Sequence, residues 1–373
     1  MASILEMVGM TTGGKRGLRV VIVRTSAMGD VLHALPAVAA LRQLHPECFL
    51  GWVIDHRWMP LLESAGCCAE PGVGPERPIV DRVHQVPTQR WKHRAFTMDT
   101  VRGIGTLRRE LRAERYDLCI DMQGLIRSSL VGAVSGSARF VGRNQPREAP
   151  AGWFYRERVV TPAAHVIEQG CELVSGAVAE RLLPGAVTLP VDKAAEDWVD
   201  EWLERTLPRE LWDRFAFFAP TAGWGAKAWP KERYGAVAIA LAEAGWATLV
   251  NAAPEKNGVA DASAAAVVEA SLGCAVAAPS TMAQMIALVR RSSLVVAGDT
   301  GPLHLAAALG KPVVALYGPT DPARTGPYGT RSRVLRHATS VVDHGRHERT
   351  EQGLAQIATS EVVAAALALL RES

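Results

Sequence analysis

The sequence predicts an α/β protein built from two Rossmann-like domains facing across a central cleft, and three observations carry that expectation. At 373 residues the chain is too long for one ordinary core and suits two lobes. In both halves, apolar runs of strand length alternate with segments of helical period, the mark of parallel sheets covered by helices. Between the halves, residues 183–191 (LPGAVTLPV) are punctuated by Pro and Gly and form a natural connector. The expected organisation is therefore a leader over 1–18, an N-terminal domain over 19–185, a C-terminal domain over 186–355 and a closing helix over 356–373.

The elements follow in order. The leader contains Gly and Thr, lacks the apolar stretch of a signal peptide and is expected to be disordered. Strand-like runs then occur at 19–23, 49–54, 117–120 and 139–141, with helical patterns at 31–44 and 99–114. Beyond the connector, 194–206 has helical spacing, with Trp198 and Trp202 one turn apart, a stripe expected to face a core. Strands are expected at 215–219, 247–251, 294–297 and 313–316, and helices at 231–243, 259–272, 282–290 and 303–309. The last segment, 360–370, is an amphipathic helix expected to pack back on the N-terminal domain.

Composition narrows the class. Hydrophobic residues make up 48% and charged residues 21%, which suits a globular protein with two packed cores. No stretch reaches the ~18 consecutive apolar residues of a membrane-spanning helix. The six cysteines form no C-x-x-C pair and no Cys/His cluster, which disfavours a disulfide framework and structural zinc and favours a reducing cytoplasm. Cys119 and Cys274 lie in apolar runs and are expected to be buried thiols. The net charge of +3 conceals an asymmetry: residues 77–158 hold 16 Lys/Arg against 8 Asp/Glu. Such a field suits an anionic partner. For the arginines at 102, 108, 109 and 112 a solvated helix face explains it as well, whereas Arg90, Trp91, Lys92 and Arg94 interleave charge with an aromatic ring.

Ligands of doubly wound sheets sit beyond the carboxyl ends of strands, so the loops there are the candidates. The loop after the first strand reads RTSAMGDVLH (24–33) and carries one glycine, not the G-x-G-x-x-G of a dinucleotide binder. Asp30 stands at the mouth of the following helix, as an ordinary capping residue would. The loop after 215–219, PTAGWGAKAWP (220–230), is flexible through residues such as Gly223. It brings one ammonium, Lys227, within reach of an anion, although a solvated lysine is an equal alternative. The loop after 294–297 reads GDTGPLHLAAA (298–308). Gly301 and Pro302 suit a helix start, and the free amides there favour a diphosphate. His304 lies one turn inside, where a satisfied core histidine is the ordinary alternative. Asp299 beside a phosphate would repel it, so sugar hydroxyls are its better ligand.

Taken together, the segments TSAMGDVLH (25–33), DLCIDMQGLIRS (117–128), KAWP (227–230) and DTGPLHLAAALGKPVVALYGPTDP (299–322) resemble glycosyltransferase family 9, the bacterial heptosyltransferases. The first two look most like the enzyme that adds the first heptose to Kdo of lipid A. The resemblance implies a GT-B fold, an inverting transfer from ADP-heptose without metal or other cofactor, and a peripheral enzyme on the cytoplasmic face of the inner membrane. It implies Asp30 as the general base, and Lys227 as the group that offsets charge on departing ADP. The amides of Thr300, Gly301, Pro302 and Leu303 would lie on the diphosphate, Asp299 and His304 on the donor sugar or its phosphate, and Glu255 on the ribose. Arg90, Lys92, Gln123, Arg127, Arg143 and Arg147 would meet the anionic acceptor, Kdo-lipid A. The sequence departs from those relatives at 222–226 and at Pro302-Leu303, both of which touch the donor pocket. The alternatives are another sugar nucleotide or acceptor within the family, a nucleotide-sugar 2-epimerase, or a non-catalytic binder of sugar nucleotides or lipids.

Overall fold

The structure is a computed structural model that describes residues 17–68, 70–93, 97–255, 259–343, 345 and 347–372, with the side chains of Gln89, Lys92 and His93 also outside the description. The leader falls almost wholly outside the described residues. The chain divides into two compact units, Met1–Pro190 and Val191–Ser373.

The first unit runs β1 (Arg19–Val23), α1 (Met28–Leu44), β2 (Phe49–Asp55), β3 (Arg82–Val86), α2 (Thr88–His93), α3 (Met98–Ala113), β4 (Leu118–Asp121), α4 (Ile126–Val134), β5 (Arg139–Arg143), β6 (Glu157–Val159) and α5 (Val166–Val178). Its strands pair in parallel in the order β3-β2-β1-β4-β5-β6. Branched apolar residues at Val20–Val23, buried on both faces, make β1 the centre of the sheet. Helices α1 and α5 pack together, while α3 lies over β3 and α4 over β4 and β1. The register that sets Val23 opposite Asp121 brings the loops after β1 and β4 side by side, where the strand order reverses.

The second unit runs α6 (Lys193–Thr206), β7 (Phe215–Ala219), α7 (Lys231–Glu243), β8 (Ala247–Ala252), α8 (Ala262–Ala270), β9 (Ala275–Pro279), α9 (Met282–Arg291), β10 (Leu294–Gly298), α10 (Gly301–Ala308), β11 (Val313–Tyr317), α11 (Pro322–Thr325), β12 (Ser332–Arg336), α12 (Gln352–Gln356) and α13 (Thr359–Arg371). Its sheet is also parallel, β12-β11-β10-β7-β8-β9, the same winding with β7 and β10 in the places of β1 and β4.

Three expectations are corrected. The closing helix α13, expected on the first unit, packs on α7, β10, β11 and β12 of its own unit. Its buried stripe of Val362, Ala366 and Leu369 joins the core that holds Trp229, Tyr234, Val314 and Leu316. Trp198 and Trp202 stack at 6.0 Å between centroids but stay half-buried, and the core-facing stripe of α6 is Ala195, Val199 and Leu203. Cys119 is buried as expected, whereas Cys274 sits half-buried in the turn before β9.

Candidate functional site

Each unit gathers charge at the carboxyl ends of its central strands, and each group is built by its own loops. In the first unit, β1 runs out through Arg24, Thr25, Ser26 and Ala27 into α1. Ala27 is the N-cap, so Asp30 sits in the first turn and accepts the Ala27 N–H at 3.3 Å, the reach-back half of a capping arrangement. The same carboxylate meets two guanidiniums. Arg24 Nη2 lies 2.7 Å from its Oδ1. Arg147 binds both oxygens side by side, at 3.0 and 3.1 Å. Burial pushes the Asp30 pKa up, but the charges of Arg24 and Arg147 with the Arg147 hydrogen bonds outweigh it and hold the carboxyl well below the usual carboxylate range.

The supports of this carboxylate come from β4. Asp121 is fully enclosed at the end of that strand. Its Oδ1 accepts the Gln123 and Gly124 N–H groups at 2.8 and 3.1 Å. Its Oδ2 accepts hydroxyls from Ser128, Ser129 and Tyr155 at 2.9, 3.1 and 2.8 Å. Burial nevertheless raises its pKa, the bonds lowering it only in part. Held this way, Gln123 accepts the Thr25 N–H and hydroxyl at 2.7 and 2.8 Å and donates to Ser26 Oγ at 3.3 Å. Gln123 thus clamps the loop before α1 where an acceptor contact had been expected.

Gly124 has φ +74° and a close neighbour. A Cβ there would stand 3.0 Å from the Arg147 backbone nitrogen, and the Glu148 N–H bonds the Gly124 carbonyl at 2.9 Å. The β5–β6 loop therefore docks on β4 and delivers Arg147 to Asp30. Of the remaining expected acceptor residues, Arg143 ends β5 and donates to Gln169 Oε1 at 2.9 Å. Arg90 pairs with Asp99 at 2.8 Å on the surface. Arg127 is exposed at the start of α4 and has no partner among the described residues. The side chain of Lys92 and the whole of Arg94 lie outside the described residues.

Next to this loop the first unit holds a cavity of about 520 Å³. Thr25, Ser26, Gln123, Arg57 and Arg127 stand along it with Trp58 and Trp91, and α3 and α4 supply aliphatic walls.

In the second unit, β7 leads into a loop that ends in a single tight turn, Gly225–Lys227. Gly225 is forced by crowding: a Cβ there would overlap the Glu348 carbonyl, and Ala226 N–H bonds His347 O at 2.9 Å. Trp229, wholly buried with its indole N–H on Ile357 O, anchors the far side. Lys227 Nζ then reaches Asp299 Oδ2 at 2.5 Å and the Asp299 carbonyl at 3.2 Å, over the Trp224 ring at 4.6 Å. Asp299 Oδ1 faces His304 Nε2 at 3.2 Å. Burial raises the Asp299 pKa, yet the His304 hydrogen bond and the charges of His304 and Lys227 bring it well below the usual range.

Lys227, Asp299 and His304, expected as separate donor contacts, thus form one network. The expected amide row is shorter than four. Pro302 has no N–H and Leu303 N–H bonds Thr300 O at 3.1 Å, which leaves the Thr300 and Gly301 N–H groups without partners among the described residues. Gly223 is in open space and Glu255 is exposed beyond β8. The Thr320 hydroxyl, buried just past β11, also lacks a partner among the described residues.

Sequence reasoning missed Arg24, Asp121 and the cavity residues Arg57 and Trp58. The signal for the first two was a charged residue at the end of an otherwise apolar central strand, where only pairing tolerates burial. Among the described residues, one group of metal-capable side chains occurs, His45, Glu47 and Cys48. It lies at the start of β2, the end of the sheet opposite Asp30.

The sequence model of glycosyltransferase family 9 (heptosyltransferase) matches residues 104–354. Lipopolysaccharide heptosyltransferase 1 of Pseudomonas aeruginosa is 30% identical over 325 residues, covering 85% of this chain and 83% of that protein. The E. coli heptosyltransferase WaaC solved with ADP is similar at 25% identity and TM-score 0.71, over 92% of this chain and 98% of that one. Its structure with ADP-2-deoxy-2-fluoro heptose gives TM-score 0.68 at the same identity and coverage. Two parallel Rossmann-like units, without a dinucleotide fingerprint and with this likeness, define a GT-B glycosyltransferase. More specifically, the chain belongs to glycosyltransferase family 9.

Proposed function

We propose that this glycosyltransferase moves heptose from ADP-heptose to Kdo of the lipid A inner core, with inversion and without a metal ion. The observation that carries the reading is Asp30, a carboxylate held ionised by two guanidiniums yet still partly open to solvent, 24% exposed. Its low pKa keeps it deprotonated at neutral pH. In the transfer, the acceptor hydroxyl attacks the anomeric carbon from the face opposite ADP. As the new C–O bond forms and the bond to the β-phosphate breaks, the hydroxyl proton passes to Asp30 and the electron pair leaves with ADP. A carboxylate is a weak base, so it acts only on a hydroxyl already made acidic by bond formation.

Lys227 answers the leaving charge. An ammonium has three donors; two lie on Asp299, which leaves one for the diphosphate. The Thr300 and Gly301 amides add donors at the start of α10, with Gly223 assigned to the same donor pocket and Glu255 to the ribose hydroxyls. The ADP and ADP-2-deoxy-2-fluoro heptose bound to WaaC support an adenosine diphosphate donor, and the likeness to lipopolysaccharide heptosyltransferase 1 supports a lipopolysaccharide acceptor. Arg90, Lys92, Arg127, Arg143 and Arg147 supply the positive field for such an acceptor. A peripheral position on the inner membrane's cytoplasmic face fits that acceptor, and among the described residues no helix is long and apolar enough to cross a membrane.

The test is a thermal-shift panel of ADP-heptose, UDP-sugars and GDP-sugars, followed by transfer to Kdo-lipid A. Selective stabilisation by ADP-heptose with transfer lost in Asp30→Asn supports the reading. Equal stabilisation by all nucleotides, or full transfer by Asp30→Asn, overturns it.

A further inference from the structure

The cavity of the first unit has walls that the transfer reading does not use. Between α3 and α4 its lining is aliphatic: Ile104 and Leu107 from one helix, Leu130, Val131 and Val134 from the other. These residues recur at helical spacing, so the walls are two facing apolar ridges. One side of the slot is open, since Ile104 is 39% and Leu130 47% exposed. Sugar hydroxyls placed between such ridges would lose their hydrogen bonds to water without replacement.

The mouth of the slot is different. Among the described lining residues there are two guanidiniums, Arg57 and Arg127, and no carboxylate. Arg57 is tied to Asp55 at 2.7 Å, whereas Arg127 has no partner among the described residues. The Trp58 indole nitrogen is buried there and has no acceptor among the described residues. An anionic head with oxygen acceptors would pair with the exposed Arg127, and a hydrocarbon tail would cover the ridges.

We propose that this slot is a binding site for a single hydrocarbon chain carried by an anionic head group, the chain between α3 and α4 and the head at Arg57, Arg127 and Trp58. The volume of about 520 Å³ lies within the ~300–1,000 Å³ of sites for ligands of that size. The proposal stands on the cavity alone and does not depend on which sugar is transferred.

Trp58 and Trp91 line the slot, so the whole protein carries its own reporters. Titration with dodecyl phosphate brominated at the chain end should quench tryptophan emission saturably, and the quench should vanish in Trp58→Phe/Trp91→Phe. Ile104→Asp and Leu130→Asp, at sites exposed enough to keep the fold, should weaken binding about tenfold or more. Arg127→Ala should weaken the phosphate probe while leaving a brominated dodecyl maltoside unchanged. Vesicles of chain-brominated phosphatidylglycerol and phosphatidylcholine identify the source. Quenching by them assigns the chain to a bilayer lipid, and quenching by the monomeric probe alone assigns it to a lipid acceptor. Quenching that survives Leu130→Asp, or is lost instead in Trp153→Ser on the surface, overturns the proposal. So does a concentration-dependent dimer that Leu130→Asp abolishes, which would give the slot to a second copy of the chain.

Discussion

The two units wind their sheets in the same order and place a carboxylate beyond the central strands, yet the carboxylates are set up for different work. Asp30 stands in the first turn of α1 with cations on one side and solvent on the other. Asp299 is enclosed, with Lys227 on one oxygen and His304 on the other. Both are driven to the ionised form by neighbouring cations against the pull of burial. The difference lies in what remains available: at Asp30 the carboxylate itself, at Asp299 the cation it holds. A shared fold therefore fixes where charge gathers, and local exposure decides which sign is offered to a ligand.

That contrast can be broken by exchange of single groups. Asp30→Asn should lower kcat by about 10²–10⁴ while leaving ADP affinity from calorimetry unchanged. If Asp30→Asn instead weakens ADP binding, the division of labour is wrong. Lys227→Ala should lower kcat by about 10²–10³ and also weaken ADP, because the leaving charge and the ground-state diphosphate share that donor. An unaltered ADP affinity would remove Lys227 from the donor role.

The next effect sharpens the comparison through pH. Arg147 depresses the Asp30 pKa, so Arg147→Gln should raise it, and the acid limb of the kcat/KM profile should move to higher pH. A limb that stays in place would mean that Arg24 alone sets the ionisation. Gly124→Ala, which pushes on the same loop and must adopt a positive φ, should move the limb in the same direction with a smaller loss of rate. Stability carries the same sign. With folded pKa values below that of a free carboxyl, ~3.9, Asp30 and Asp299 contribute stability that is present above that pH. The contribution is lost as pH falls through the folded values. Urea midpoints of Asp30→Asn should accordingly fall less on acidification than those of the parent. Arg90→Glu should have the smallest effect, a few-fold rise in acceptor KM with donor KM unchanged, since its pair with Asp99 is a surface pair of ~0–1 kcal/mol. A change confined to donor KM would take Arg90 out of the acceptor field.

Much of this was legible in the chain. Apolar runs such as RVVIV and FAFFA identify β1 and β7, and the loops after them hold Asp30 and Lys227. The strands left unseen are those with weak local signals. β3 and β12 are edge strands whose apolar residues are interrupted by polar or charged ones, β6 is three residues long, and β9 is Ala-rich and poor in branched side chains. At the sites, residue type gave candidate ligands but not their mutual partners. Gln123 and Arg147 looked like contacts for an anion, and in the fold Gln123 also bonds the loop before α1 and Arg147 also binds Asp30. Such pairings join positions 98 and 117 residues apart, a relation that no local pattern encodes.

With α13 docked on α7 and β10–β12, each unit is one uninterrupted stretch of chain, 1–190 and 191–373. The polypeptide should therefore tolerate being cut. A nick at the exposed Val191, or expression of the two stretches as separate genes, would leave both cores whole. Loss of the final thirteen-residue helix, by contrast, would uncover Val362, Ala366 and Leu369 and unfold the second stretch alone.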